Sequence, residues 1–379
     1  MKHIKKGLLL SLLITTSTYG FQEVYDFHNI RQKAMGGTQV ATIKNSTSFY
    51  QNPAFLALEK TFKIEIPKIE ISINKDLVDK MSEFSSLTSS SEDEEAQIDT
   101  LKNLVPLKAA AGGNILPVLT FTKKGFGLTA YGKSKIGAQL KRKTSPTLYM
   151  EGNYDINVQL GLSHTIEYED KQIHMGLSPR YISRSIFYNQ ETGSNTFSLT
   201  QTDLLKIANG LAEFSPNVYK VSGIAVDYGA LYQYKSKYGN GLAGLTIKNL
   251  ISSLSGTQEI VSGNQTSENE IKTKDNIILT VGNSIKYKAP FLGKIDLATD
   301  FNLIAPTDSF IKRIHIGAEK KLTPILSLRG GLNQGFIVGG FAINIFILKI
   351  DYAYFAEEFS SSIGKNVVES HNFQIGMFF

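Results

Sequence analysis

Along residues 154–168 the side chains alternate in character. Tyr154, Ile156, Val158, Leu160, Leu162, Ile166 and Tyr168 fill the even positions, broken only by His164; Asp155, Asn157, Gln159, Gly161, Ser163, Thr165 and Glu167 fill the odd ones. Successive side chains of a strand point to opposite faces, so this segment has one apolar and one wet face, over a length that crosses a bilayer at a tilt. The pattern recurs. Ile295, Leu297, Phe301 and Leu303 alternate with Lys294, Asp296, Asp300 and Asn302, and Leu348, Ile350, Tyr352 and Tyr354 with Lys349, Asp351 and Ala353. A strand of a soluble sandwich alternates in the same way, so one segment alone does not distinguish the two.

The rest of the chain separates them. Residues 1–20 read as a signal peptide, with Lys2, Lys5 and Lys6 as its basic start, an apolar run from Gly7 to Ile14, and Thr18 and Gly20 as small residues at the cleavage site. The chain has no Cys, which excludes a lipid-anchored lipoprotein and a disulfide framework. Beyond residue 20 charges or Gly interrupt every apolar stretch before it reaches the roughly eighteen residues of a spanning helix, so a membrane location implies a barrel. The formal charge of +6 falls to +3 once the three lysines of residues 1–20 are removed, since that segment holds no acid; so weak an excess gives no support to nucleic-acid binding. A hydrophobic content of 42% suits a barrel whose strands turn half their residues to the lumen, and 22 Phe with 17 Tyr supply material for interfacial girdles in a chain without Trp.

Alternation and turn signals predict fourteen strands, starting near residues 61, 111, 126, 144, 171, 219, 240, 274, 292, 310, 323, 335, 347 and 369. The odd-numbered connections include the long segments 74–110, 189–218, 252–273 and 358–368. The even-numbered ones are tight: Lys123 to Gly125, Glu169 with Asp170, Ser236 to Gly239, Ala289 to Phe291, and Lys321 with Leu322. Long loops on one side and short turns on the other is the asymmetry of outer-membrane barrels. Within the long loops, Leu77, Val78, Met81 and Phe84, and then Ile98, Leu101 and Leu104, fall at helical spacing on either side of the acidic run Ser91 to Glu95. Thr200 and Asp203 predict an N-cap with an acidic first turn for a helix over Asp203 to Leu211. At the other end Phe373, Ile375, Met377 and Phe379 alternate up to a terminal Phe, which resembles the signal by which barrel-assembly machinery recognises its substrates.

The segment ahead of the first strand does not alternate. It contains Lys33-Ala34-Met35-Gly36-Gly37-Thr38-Gln39-Val40-Ala41 and then Asn45 to Ala57, including Asn52-Pro53-Ala54. This order, a Gly-Gly turn, a small-residue helix and an Asn-Pro-Ala step before strand one, resembles the opening of the FadL superfamily. Residues 223–234, 244–250, 316–334 and 350–358 resemble the C-terminal halves of its PorV-like and TraF-like relatives. The resemblance implies an all-β transmembrane antiparallel barrel of about fourteen strands, with an N-terminal hatch in the lumen and short helices in the extracellular loops. The division it implies is 1–20 signal peptide, 21–60 hatch and 61–379 barrel.

It also implies a passive route for a hydrophobic ligand, from an extracellular mouth to a lateral gap where a strand kinks. Phe49, Tyr50 and Phe55, with Asn52 and Pro53, are the candidate ligand contacts in the hatch, set against a purely structural role in steering the hatch into strand one. Gly112 and Gly113, after Ala109 to Ala111, are the candidate kink. Against a uniformly apolar tunnel stand the lumen-facing Asp155, Asn157, Glu167, Asp296, Asp300 and Asp351; Arg180, Arg184, Lys248, Lys294 and Arg329 are their candidate partners, since buried charges need them. Catalytic patterns are thin. The six His residues have no metal-ligand spacing, no nucleophile elbow or phosphate loop occurs, and only Ser163 with His174 on adjacent strands offers a Ser/His pair.

The sequence therefore predicts a non-enzymatic FadL-like barrel in the outer membrane of a diderm bacterium, without metal or cofactor. Its expected partners are outer-membrane lipids, the barrel-assembly machinery and a small hydrophobic ligand such as a fatty acid. The alternative is a non-transporting scaffold for a secretion or conjugation protein. A surface adhesin or antigen working through loops 74–110 and 189–218 is a third reading.

Overall fold

The computed structural model describes residues 29–42, 46–65, 69–80, 82–83, 94–169, 171–262, 265–290, 293–307, 309–346, 348–358, 363–365 and 367–377. The expected signal peptide and Phe379 lie outside them. The chain opens with α1 (Ile30–Ala34) and two 3-10 turns (Ser46–Tyr50 and Pro53–Leu58), followed by β1 (Lys63–Glu65), β2 (Ile69–Asn74), α2 (Lys75–Asp79) and α3 (Glu94–Leu104). Then come β3 (Leu107–Lys123), β4 (Phe126–Lys141), β5 (Thr147–Tyr168), β6 (Lys171–Phe187), β7 (Phe197–Leu199), α4 (Gln201–Ala208), β8 (Val218–Ser236) and β9 (Gly239–Ser262). The remainder is β10 (Gln265–Thr273), β11 (Ile278–Ala289), β12 (Gly293–Ile304), a 3-10 turn (Ile311–Arg313), β13 (Ile314–Lys321), β14 (Leu326–Asn333), β15 (Phe336–Ile345), β16 (Leu348–Glu358) and β17 (Val367–Met377).

The pairing runs antiparallel from β3 through β4, β5, β6, β8, β9, β11, β12, β13, β14, β15 and β16 to β17. There β17 pairs with β2, Ser370 opposite Asn74 and Ile375 opposite Ile69, and β2 and β1 lie beside β3. Counting β1 and β2 as one interrupted strand, the described residues form fourteen staves whose last meets the first.

Burial is inverted relative to a soluble protein. On β5, Asp155, Asn157 and Gln159 are completely buried, whereas Val158 is 45% and Leu162 49% exposed. Ile224 on β8 and Ile375 on β17 are likewise outward and more than half exposed. Apolar groups gain by leaving water, so an outer surface of this kind is stable only in lipid. Among the described residues no helix is long and apolar enough to cross a membrane. The strands are what cross it.

Loops sort by side as the spacing predicts. On one face the connections shrink to 124–125, 169–170, 237–238, 290–292, 322–325 and 346–347; the other face carries 75–106, 188–217 and 263–277. The long side also holds one tight hairpin, Gln334–Gly335, with φ of 54° and 88°, the left-handed pair that a two-residue turn requires. Over 252–273 the structure departs from the expected loop: β9 continues to Ser262 and returns as β10, Gln265 opposite Ser262 and Thr273 opposite Leu254. Both arms are largely polar, with Leu254 and Ile271 making the contacts to a neighbouring apolar cluster, so the sequence carries no sustained apolar alternation to reveal the hairpin.

The expected helices form where the chain is described, with shifted ends: α2 holds Leu77 and Val78, while Met81 and Phe84 of the expected run lie outside the described residues. Thr200 caps α4, which runs over 201–208 instead of 203–211. The acidic run does not merely interrupt: Glu94 and Glu95 form the first turn of α3, where the helix dipole favours them. Leu101 and Leu104 of α3, Leu205 of α4, and Leu107 and Leu140 of the wall make one apolar cluster over the long-loop mouth. Gln97 and Asn209 exchange side-chain amide hydrogen bonds of 2.7 and 3.1 Å between the two helices.

Candidate functional site

The described part of the hatch fills the lumen. Asn29 accepts from the backbone N–H of Gln32, and the Gln32 side chain accepts from the Asn29 N–H, so α1 begins with a closed capping box. Gly36 and Gly37 then turn the chain with φ of 68° and 81°. Asn52 caps the second 3-10 turn by accepting from Ala54 N–H, and Pro53 occupies its first position, where no amide hydrogen is missed.

All five candidate hatch contacts are buried against the wall. Phe49 and Leu56 lie over Gly127 and Gly161, while Pro53 and Asn52 reach Gly176 and Gly229, positions where a Cβ would collide with the hatch backbone or the Asn52 carbonyl. Tyr50 stacks on Tyr131 with ring centroids 5.1 Å apart and shares a hydroxyl contact of 2.5 Å with Thr120. Phe55 packs with Ala41, Ala54 and Leu231. Asn52 also donates to Val40 O at 2.9 Å, tying the two halves of the hatch together.

Polar groups then fasten hatch to wall. Asp300 on β12 accepts from Gln39 N–H at 2.6 Å and Val40 N–H at 2.9 Å. His315 Nδ1 lies 3.0 Å from Gly36 O, and Ser284 donates to Ala41 O at 2.7 Å. Arg31 pairs with Glu319 at 2.7 Å, and Lys33 with Glu70 at 2.7 Å. Lys248 donates to the Tyr50 carbonyl.

The remaining lumen charges satisfy one another. Arg184 bridges Asp155 and Asp275. Arg329 donates to Asp351 at 2.7 Å and approaches Glu319 at 3.4 Å. Opposite Asp227 the register of β8 and β9 shifts, Val226 facing Ile251 and Tyr228 facing Ile247. The bulge, with Asn249 at φ 53°, brings the Lys248 ammonium to 3.2 Å and the Asn249 N–H to 2.9 Å of Asp227, while Arg180 stands 3.8 Å away. Four of the five candidate cations thus meet lumen acids. Lys294 is exposed beside the β11–β12 turn, and Glu167 is exposed and accepts from Gln172 at 3.1 Å.

A cavity of about 580 Å³ lies under the hatch on the short-turn side. Met35, Leu58 and Leu242 are among its apolar lining, and Arg31, His174 and Asp296 among its polar lining; none of the five candidate hatch residues borders it. His174 Nδ1 pairs with Thr165 Oγ1 at 2.8 Å, and Ser163 stands opposite Gly176. Gly112 and Gly113 lie in β3 opposite Lys135 and Ser134. Immediately beyond them the register with β4 shifts twice, between Gly113 and Leu116 and between Leu116 and Leu119. Of the assembly-signal residues, Phe373 and Ile375 point outward, 42% and 55% exposed, and Met377 ends β17.

Sequence reasoning passed over Arg31, Lys33 and His315. The signal for Lys33 was present: a lone ammonium beside Ala34 and Met35, in a small-residue segment that has to be buried, needs a partner inside.

A wall of fourteen antiparallel strands, apolar outside and polar inside, with the chain's own N-terminal segment packed in its lumen, defines the class: a transmembrane β-barrel with an internal plug. No family model and no curated protein matches the chain. Among solved structures it is similar to the toluene transporter TbuX of Ralstonia pickettii (13% identity, covering 96% of this chain and 100% of that one, TM-score 0.46). It is similar also to the toluene transporter TodX of Pseudomonas putida (10% identity, 94% and 98% covered, TM-score 0.45) and to the CymD monoaromatic hydrocarbon channel (12%, 92% and 97%, 0.42). The strand pairings, not these likenesses, establish the architecture.

Proposed function

We propose that the barrel lies in the outer membrane of a diderm bacterium and passes small hydrophobic molecules passively, from the long-loop mouth to a sideways exit beside β3. The observation that carries this reading is the pair of register shifts that follow Gly112 and Gly113. Each shift sets an extra residue of β3 against β4, and Pro117, within the second, has no N–H to give the ladder. A wall weakened there by its own backbone is where an apolar solute leaves the lumen for lipid without passing the hatch. The polar lumen face does not oppose the route: its charges are taken up by one another and by the hatch, so a solute does not have to desolvate them.

Removing one residue from each bulge, so that β3 pairs evenly with β4, tests the reading. Uptake of a labelled aromatic hydrocarbon and of a fatty acid, measured in cells carrying either form, is expected to fall several-fold with the regularised strand. Unchanged uptake of both, with the barrel folded, overturns it and leaves the scaffold for a secretion protein as the better reading.

A further inference from the structure

The N-terminal plug bridges the one place where the ends of the barrel wall meet. Lys33 of α1 directs its ammonium to Glu70 Oε1 on β2 at 2.7 Å and to Asn372 Oδ1 on β17 at 2.8 Å. The first acceptor belongs to the first stave and the second to the last. Both are buried: the Glu70 side chain is 1% exposed and Asn372 not at all.

At its long-loop end the seam stops early, where β2 gives way to α2 at Lys75: among the described residues Val367, Val368 and Glu369 of β17 are in register with β16 but with no residue of β2. A parting here also leaves two edges with free backbone groups, which lipid cannot satisfy. The other contacts of α1 fix the side chain that spans the gap. Ile30 and Ala34 pack on Ala353 of β16, Ala34 lies against Gly340 of β15, and Arg31 pairs with Glu319 of β13. The helix thus rests on the staves before the seam and reaches across it with one residue. Among the described residues Lys33 is the cation paired with Glu70, whose second oxygen has no hydrogen-bond partner. Without Lys33, a buried carboxylate would stand uncompensated at the joint.

We infer that the plug has a second function besides occupying the lumen: through Lys33 it closes the barrel, holding β2 to β17 during assembly and afterwards. This role does not depend on what the barrel passes.

The chain contains no Cys, so engineered pairs report the seam directly. Ile73→Cys with His371→Cys spans the seam, the two residues being in register on β2 and β17. Val158→Cys with Tyr181→Cys spans an ordinary β5–β6 joint and serves as control. In the full chain refolded into lipid vesicles, Lys33→Met is expected to lower disulfide yield at the seam about fivefold or more while the control pair is unaffected. Adding Glu70→Gln, which removes the stranded charge, is expected to restore most of it. The inference is overturned if Lys33→Met leaves the seam yield unchanged, if seam and control yields fall together, or if Glu70→Gln brings no recovery.

Discussion

Arg184 grips Asp155 with two parallel hydrogen bonds, Nε to Oδ1 and Nη2 to Oδ2, each 2.9 Å long, deep in the lumen between β5 and β6. The same guanidinium reaches Asp275 at 2.6 Å, which makes it the hub of two buried carboxylates. Lys133, 3.5 Å from Asp155, is a distant second partner. Replacing Arg184 by Met is therefore expected to destabilise the barrel by about 3–5 kcal/mol, as measured by unfolding in detergent, with Lys at this position intermediate because it cannot form the fork. A loss within the error of wild type would show that the hub is not structural.

Asp300 holds the hatch by its backbone. Asp300→Ala deprives Gln39 and Val40 of a charged acceptor, at a cost of about 1.5–3 kcal/mol per bond. Amide exchange at these two positions should accelerate while the β12 amides stay protected. Equal protection in both proteins would mean that another group takes over the tether.

Close approach at the wall is equally specific. Gly229→Val puts side-chain carbon where the Asn52 carbonyl and Pro53 ring lie, so overpacking of about 1–3 kcal/mol is expected. The same change at Gly293, which has open space around it, meets no neighbour but is strained by its φ of 75°. Thermal unfolding of Gly229→Ala against Gly229→Val separates the steric effect, which grows with side-chain size, from a backbone effect, which does not.

The mouth is held by a weaker clasp. Asn209→Ala breaks the reciprocal amide pair with Gln97 and should loosen α3 from α4 by about 1 kcal/mol, read as faster proteolysis within residues 94–104. The leucine cluster beneath keeps the helices in place, so the barrel itself should unfold at the same temperature.

A pH dependence belongs to α4. The Thr200 hydroxyl at 2.7 Å and its backbone N–H at 2.9 Å hold the Asp203 carboxyl below the usual carboxylate range. Because the folded value lies below the unfolded one, the cap contributes fully above about pH 3.9 and is lost as pH falls through the lowered value. Protection of the amides of residues 201–208, taken relative to their intrinsic exchange rates at each pH, should therefore fall on acidification below that point, and Asp203→Asn should remove the dependence. An Asn variant that kept the same pH profile would assign it to another group.

Much of the wall was legible from alternation. The fourteen predicted starts fall within about four residues of the observed strands, counting β1 as the start of the first. Each strand faces lipid on one side and lumen on the other, and that contrast is written in every second residue. The β9–β10 hairpin was missed for the converse reason, since its arms carry no sustained apolar alternation. In the hatch, Gly36 with Gly37 and Asn52 with Pro53 marked its turns, because such residues are used where φ is positive or an amide hydrogen is absent.

The sequence by itself determined which side chains face lipid, on which side the long loops lie, and that a non-alternating segment precedes the wall. These follow from local periodicity and turn chemistry, which neighbouring residues set. Only the tertiary structure decided which lumen charges find partners: Arg31 finds Glu319 across 288 residues of chain, and the Lys33 ammonium finds the Asn372 amide oxygen across 339. Such pairs exist only once the wall has curved round and brought its last strand to its first. Ion pairing depends on distance in space, and no spacing along the chain encodes that distance until the barrel closes.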